Sequence, residues 1–150
     1  MINSTYSTAT NFAMFIPGSE YSNLQMRVID FKIPNVSSTP VEQDARFIKA
    51  KHPGSTATFE DLSVNVLVDS GLTNVIPVHS WMINNITENN AVKKDITLIG
   101  YSSSETQLFT VEFKSAFPTS INIDTFNAQD GSDSLIKASI NFVYDYYEYN

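Results

Sequence analysis

The plainest signal along the chain is a period of two. Between residues 59 and 69, Leu62, Val64, Val66 and Val68 face one way while Asp61, Ser63, Asn65 and Asp69 face the other, interrupted by Leu67. Successive side chains on a strand point to opposite faces, so this pattern predicts a half-buried strand. Residues 95–101 repeat it with Ile96 and Leu98 against Asp95 and Thr97. Residues 108–116 repeat it again with Phe109, Val111 and Phe113 against Thr110, Glu112 and Lys114, and the turn at Ser102, Ser103, Ser104 and Glu105 predicts that the two form a hairpin. The closing run sets Ile136, Ala138, Ile140, Phe142, Tyr144 and Tyr146 on one face and Lys137, Ser139, Asn141 and Asp145 on the other.

Nearer the start, residues 11–16 read as a strand, followed by turn chemistry at Pro17, Gly18 and Ser19. Residues 24–33 place Leu24, Met26 and Val28 on one face and Arg27, Ile29 and Phe31 on the other, so both faces carry apolar groups. Such a strand suits cover on both sides, by its own core and by another subunit. Phe117, Pro118, Thr119 and Ser120 are expected to end the strand before them, with a brief extended piece at 121–123 and a turn-rich link at 127–134. Helical spacing occurs once, at Val75, Val78, Met82 and Ile86, with Thr73 placed to cap and Pro77 in the first turn. The expected fold is mainly β, an antiparallel β-barrel or sandwich with one flanking α-helix.

Composition agrees: aromatic residues make up 12% of the chain, ten Phe and seven Tyr among them, which suits extended structure over a helical bundle. At 150 residues the chain is long enough for one sizeable core, so residues 1–150 are expected to form a single domain. The first ten residues form a polar lead without periodicity, expected to be flexible unless a neighbouring subunit holds it. Residues 41–58 are mixed and charged, with Glu42, Asp44, Arg46, Lys49 and Lys51 and a turn at His52, Pro53, Gly54 and Ser55. A stretch of that length without a core of its own usually works as a binding element, so it is expected to project and to contact another subunit.

The search for catalysis finds little. The chain has no cysteine, which removes thiol nucleophiles, disulfides and cysteine-ligated metals. His52 and His79 have no metal-ligand spacing around them, and five glycines include no phosphate-cradling cluster. Asp124, Asp130 and Asp133 lack the alternating oxygen ligands of a calcium loop. Glu60, Asp61 and Glu112 could pair as hydrolase carboxylates only if folding brought them together. Tyr144, Tyr146, Tyr147 and Tyr149 could stack on a sugar, though strand alternation accounts for most of them. No catalytic residue, metal or cofactor is expected. A net charge of −7 disfavours adhesive binding to nucleic acid but suits a channel wall that repels phosphates. The start of the chain has no signal-peptide pattern, no run approaches a membrane span, and the sequons at Asn3, Asn35 and Asn85 read as chance matches, so a soluble protein made in the cytoplasm is expected.

In the order of its elements the chain resembles the tail tube proteins of contractile-tailed bacteriophages. The resemblance rests on Thr58-Phe59-Glu60-Asp61-Leu62-Ser63-Val64-Asn65-Val66, on the helix bearing Trp81, on Phe113-Lys114-Ser115-Ala116-Phe117-Pro118-Thr119-Ser120-Ile121, and on Ile140-Asn141-Phe142-Val143-Tyr144-Asp145-Tyr146. It covers roughly residues 11–149 and includes no catalytic motif. It implies a structural virion protein whose copies join as a homo-hexamer and whose rings stack into a tube through which genomic DNA leaves without specific binding. Tail sheath and baseplate or terminator proteins would be its partners, with no membrane involved. Glu42, Asp44, Arg46 and Lys49 are then candidates for contact between subunits, and Asp30, Glu112 and Asp145 for the lumen. A tube-initiating ring of the baseplate is the alternative within this class. A carbohydrate-binding β-sandwich is the alternative outside it.

Overall fold

The computed structural model describes residues 11–17, 24–88, 92–126, 128 and 135–150. The polar lead at 1–10, the turn residues Gly18 and Ser19, Asp130 and Asp133, and most of the 127–134 link lie outside the described residues. The strands are β1 (Asn11–Ile16), β2 (Leu24–Phe31), β3 (Val36–Ser38), β4 (Val41–Asp44), β5 (Lys49–His52), β6 (Ala57–Phe59), β7 (Leu62–Leu67), β8 (Lys94–Tyr101), β9 (Gln107–Ile123), β10 (Lys137–Val143) and β11 (Tyr146–Tyr149). A 3-10 turn at Ser70–Leu72 leads into the helix α1 (Val75–Thr87).

The antiparallel order β10-β7-β2-β1-β8-β9 closes on itself, because β10 pairs with β9 as well as with β7. The result is a barrel, and closure leaves few strand edges to pair at random. Every alternating run noted above contributes its apolar face to the interior: Met14, Met26, Leu62, Val64, Ile96, Leu98, Val111, Phe113, Ile140 and Phe142 are all buried. α1 packs Val75, Val78 and Trp81 onto this core, the Trp81 ring lying 6.4 Å from that of Phe142. The indole N–H donates to the Val92 carbonyl at 2.7 Å, and Lys94 stands over the ring at 5.1 Å. Gly100 is required where it stands: a Cβ there would collide with the Phe109 ring, which completes a cluster with Phe12 and Phe31.

Four expectations are corrected, each for a local reason. β2 does not keep two fixed faces. A register shift between Val28 and Asp30 turns Phe31 toward Phe12 and Phe109 instead of outward. β9 does not end at Phe117 and Pro118 but runs on to Ile123, with Pro118 opposite Phe142 where the β9–β10 ladder shifts register. The strand bends earlier, at Ser115, whose φ of 56° marks a bulge. Asp95 supports that bulge, its carboxylate accepting the Ser115 N–H at 3.0 Å. In α1 the residue before the helix is Asn74, not Thr73, and its side chain turns back to accept from the Asp69 N–H and donate to the Leu67 carbonyl. The buried face runs through Val75, Val78 and Trp81, leaving Ile86 exposed and Met82 half-buried. Finally, the closing run is not one continuous phase: it breaks at Tyr144 and Asp145, after which Tyr146 points out and Tyr147 points in.

Candidate assembly arm and its root

Residues 35–60 leave the barrel between β2 and β7 and form an arm. At its stem β3 pairs with β6, Val36 opposite Phe59 and Ser38 opposite Ala57, and the Glu60 N–H extends the ladder to the Asn35 carbonyl. Beyond the stem β4 pairs with β5, from Val41 opposite His52 to Asp44 opposite Lys49. Between the two ladders the chain passes so close that a Cβ on Gly54 would strike the Thr39 carbonyl. Almost every residue of the arm is exposed. The expected projecting segment is therefore a structured double ladder, longer than residues 41–58.

All four residues chosen as subunit contacts lie in the outer hairpin, and all are exposed. Lys49 Nζ stands 3.8 Å from Glu42, and the Arg46 guanidinium lies 5.6 Å from the Phe47 ring. Lys49 and Glu42 thus pair within the hairpin, and an exposed pair of this kind contributes at most about 1 kcal/mol. What the charge pattern hid is the tip, where Phe47 is 89% and Ile48 72% exposed. An aromatic and a β-branched side chain side by side at the end of an arm make an apolar knob with no pocket in their own chain among the described residues.

The root of the arm is held by the closing strand. Tyr144 donates its hydroxyl to the Glu60 carbonyl at 2.6 Å, and Tyr147 donates to the Pro34 carbonyl at 2.8 Å. Phe59 packs edge-on against both rings, at 6.1 Å and 5.4 Å, and Phe113 closes the cluster from below. Burial pushes the Tyr144 hydroxyl up to about 12, and burial followed by the neighbouring Tyr149 raises that of Tyr147. Both hydroxyls are therefore firm donors across the neutral range. These two rings are committed to the arm and offer no open stacking face for a sugar. Tyr146 and Tyr149 stay exposed.

The lumen candidates do not share one surface. Glu112 lies on β9, its carboxylate 2.6 Å from Lys114 Nζ and 3.1 Å from the Asn150 amide; these hydrogen bonds hold it below the usual carboxylate range, and Glu112 in turn raises Lys114. Asp145 adjoins it, its N–H donating to the Lys114 carbonyl. Asp30 sits on β2, across the barrel from β9 in the strand order, and accepts from Asn65 at 2.6 Å. Glu112 engages Lys114 and Asn150, not Glu60 or Asp61, so the hydrolase pairing is not formed. His52 contacts Gln43 at 3.1 Å, His79 is exposed on α1, and among the described residues no cluster of acids and histidines is placed to hold a metal.

The geometry is that of a closed barrel carrying a long exposed arm with an apolar tip, a structural scaffold in which the described residues place no metal cluster. The sequence matches the family described as T4-like virus tail tube protein gp19 over residues 16–148, and the chain belongs to that family. It is a structural tail tube protein, not an enzyme. None of the curated proteins matches it. Among solved structures it is similar to the sheath/tube terminator of an extracellular contractile injection system, with 21% identity, 99% of each chain covered and a TM-score of 0.74. It is also similar to the sheath-tube complex of that system, with 23% identity, 99% and 93% coverage and a TM-score of 0.68. An Hcp protein shares the fold at 12% identity, with 93% and 89% coverage and a TM-score of 0.64. No helix among the described residues is long and apolar enough to cross a membrane.

Proposed function

We propose that copies of this chain join into hexameric rings that stack into a tail tube, the conduit through which DNA passes on ejection. The observation that carries this reading is the exposed apolar tip of the arm. Phe47 and Ile48 gain by leaving water when another molecule receives them, and a second copy of this chain is the proposed receiver. Glu42, Asp44, Arg46 and Lys49 around the tip then set its register more than its affinity. A solved terminator and a solved sheath-tube complex of this fold support the further proposal that a sheath and a terminator are its partners.

Opposite walls of one barrel cannot both line the same channel, so the lumen takes either Asp30 or the pair Glu112 and Asp145. We propose the Asp30 wall. There the outward residues of β7 and β10 include Ser63, Asn65, Ser139 and Asn141, in register as Ser63 with Asn141 and Asn65 with Ser139, while Lys137 of β10 and Arg27 of β2 stand together at one end of this wall. Short uncharged side chains beside one carboxylate make a smooth middle stretch with no cationic grip on a passing phosphate backbone, the cations Arg27 and Lys137 being confined to one end. The acidic and basic groups of the β9 wall then face away from the channel.

Negative-stain microscopy and sedimentation of the purified chain test the ring. Six-fold rings or hollow filaments support it, and a strictly monomeric species at high concentration refutes it. Cysteine scanning tests the wall, since the chain has no cysteine of its own. In assembled tubes Asn141→Cys should be shielded from a bulky polymer-linked maleimide that still labels Glu148→Cys. The reverse pattern would assign the lumen to the β9 wall.

A further inference from the structure

The arm touches its own barrel through very little. Residues 35–58 are exposed apart from Ala50 and Gly54, and Phe59 is the residue of its inner end that packs on the core. Its two strands leave the barrel at Pro34 and return at Glu60, and each of these carbonyls receives one tyrosine hydroxyl from the closing strand. Two anchors, one on each side of a ladder, fix both its tilt and its rotation, where one anchor would leave a hinge. At ~3.3 Å per extended residue the tip lies at most roughly 40 Å from the root, so a swing of about 10° at the root moves Phe47 by up to about 7 Å. Docking surfaces misplaced by that distance do not meet.

The choice of side chain is informative. Phenylalanine at 144 and 147 would give the same ring packing against Phe59 and Phe113, and Phe142 two positions earlier shows that the strand accepts it. What tyrosine adds is the hydroxyl, and the two hydroxyls go to the two points where the arm joins the barrel, Pro34 and Glu60. The break at Asp145 lets both rings serve: it resets the alternation so that Tyr147, not Tyr146, falls beside Tyr144 on the inner face.

We infer that Tyr144 and Tyr147 form a clasp that fixes the angle of the arm, and that their hydroxyls serve assembly rather than folding. Neither residue touches a neighbouring subunit in this account; both are positioning residues. The inference rests on the proposed tube function for its purpose, but not for its geometry.

The test uses spin labels at Ala45→Cys near the tip and Ser103→Cys on the β8–β9 turn, both exposed positions. The distance distribution is measured in unassembled chains, with and without Tyr144→Phe and Tyr147→Phe together. The clasp predicts a distribution at least about twofold broader in the double variant, a melting temperature lowered by only a few degrees, and a ring yield reduced at least about tenfold, consistent with two lost hydrogen bonds at the root. Tyr147→Phe alone, broadening less, keeps the test open should the double variant misfold. An unchanged distribution overturns the clasp. Broadening with undiminished ring yield overturns its role in assembly. Broadening in a chain that forms no rings even unsubstituted supports the clasp and refutes the tube reading.

Discussion

The barrel and the arm of this protein are built on opposite principles. The barrel hides its apolar residues so completely that Leu62, Val64, Phe113 and Phe142 are 0% exposed, whereas the arm leaves Phe47 89% exposed. The barrel's strands are paired on both edges around a closed ring, while the arm is two short two-stranded ladders. Ladders of that kind are marginal alone in water, so the arm depends on its root for its shape. On the proposed reading the barrel carries stability and the arm carries assembly. Substitutions should therefore sort by region, with damage to folding in one and damage to association in the other.

The largest effect should come from Val64→Asp, which puts a charge among fully buried neighbours and should cost about 3–5 kcal/mol, a large share of a domain's stability. Urea or thermal denaturation followed by circular dichroism measures it. Phe113→Ala should cost slightly less, about 3–4 kcal/mol, because it leaves a cavity at the base of the aromatic cluster. If it also broadens the arm's distance distribution, the root and the core are coupled, and the division between the two regions is less sharp than drawn here.

Alkaline pH gives a smaller, reversible effect on the same boundary. Tyr144 has its folded value raised from 10.0 to about 12, so the protonated hydroxyl is the form the fold favours. Its contribution is complete below pH 10 and is lost as pH rises through about 12. Stability should fall across that window, and Tyr144→Phe should flatten the fall. Smallest is Asp44→Ala, an exposed change that should alter stability by less than about 0.5 kcal/mol while weakening ring formation. Ring yield that matches the parent would remove Asp44 from the assembly contact.

Much of the barrel was legible because a half-buried strand writes its burial into a period of two, as at Leu62, Val64 and Val66. The arm was legible as a charged insertion without a core. The tip was not, since Phe47 and Ile48 look like any apolar pair until nothing is found to cover them. The clasp left no local trace either. Tyr144 and Glu60 are 84 residues apart and Tyr147 and Pro34 113, and only closure of the barrel brings them together. Alternation carried through Asp145 assigned Tyr146 to the inside, because a single bend in a strand reverses every later position. Pro118 misled for a related reason: it ends a strand by default, but here it falls where the ladder shifts register.

The most direct measurement is sedimentation velocity of the chain carrying Phe47→Asp and Ile48→Asp beside the unsubstituted chain, with melting curves of both. The account predicts that the unsubstituted chain sediments as rings or longer tubes, and that the variant stays monomeric with its melting curve unchanged. A variant that assembles as readily as its parent would contradict the assignment of assembly to the arm.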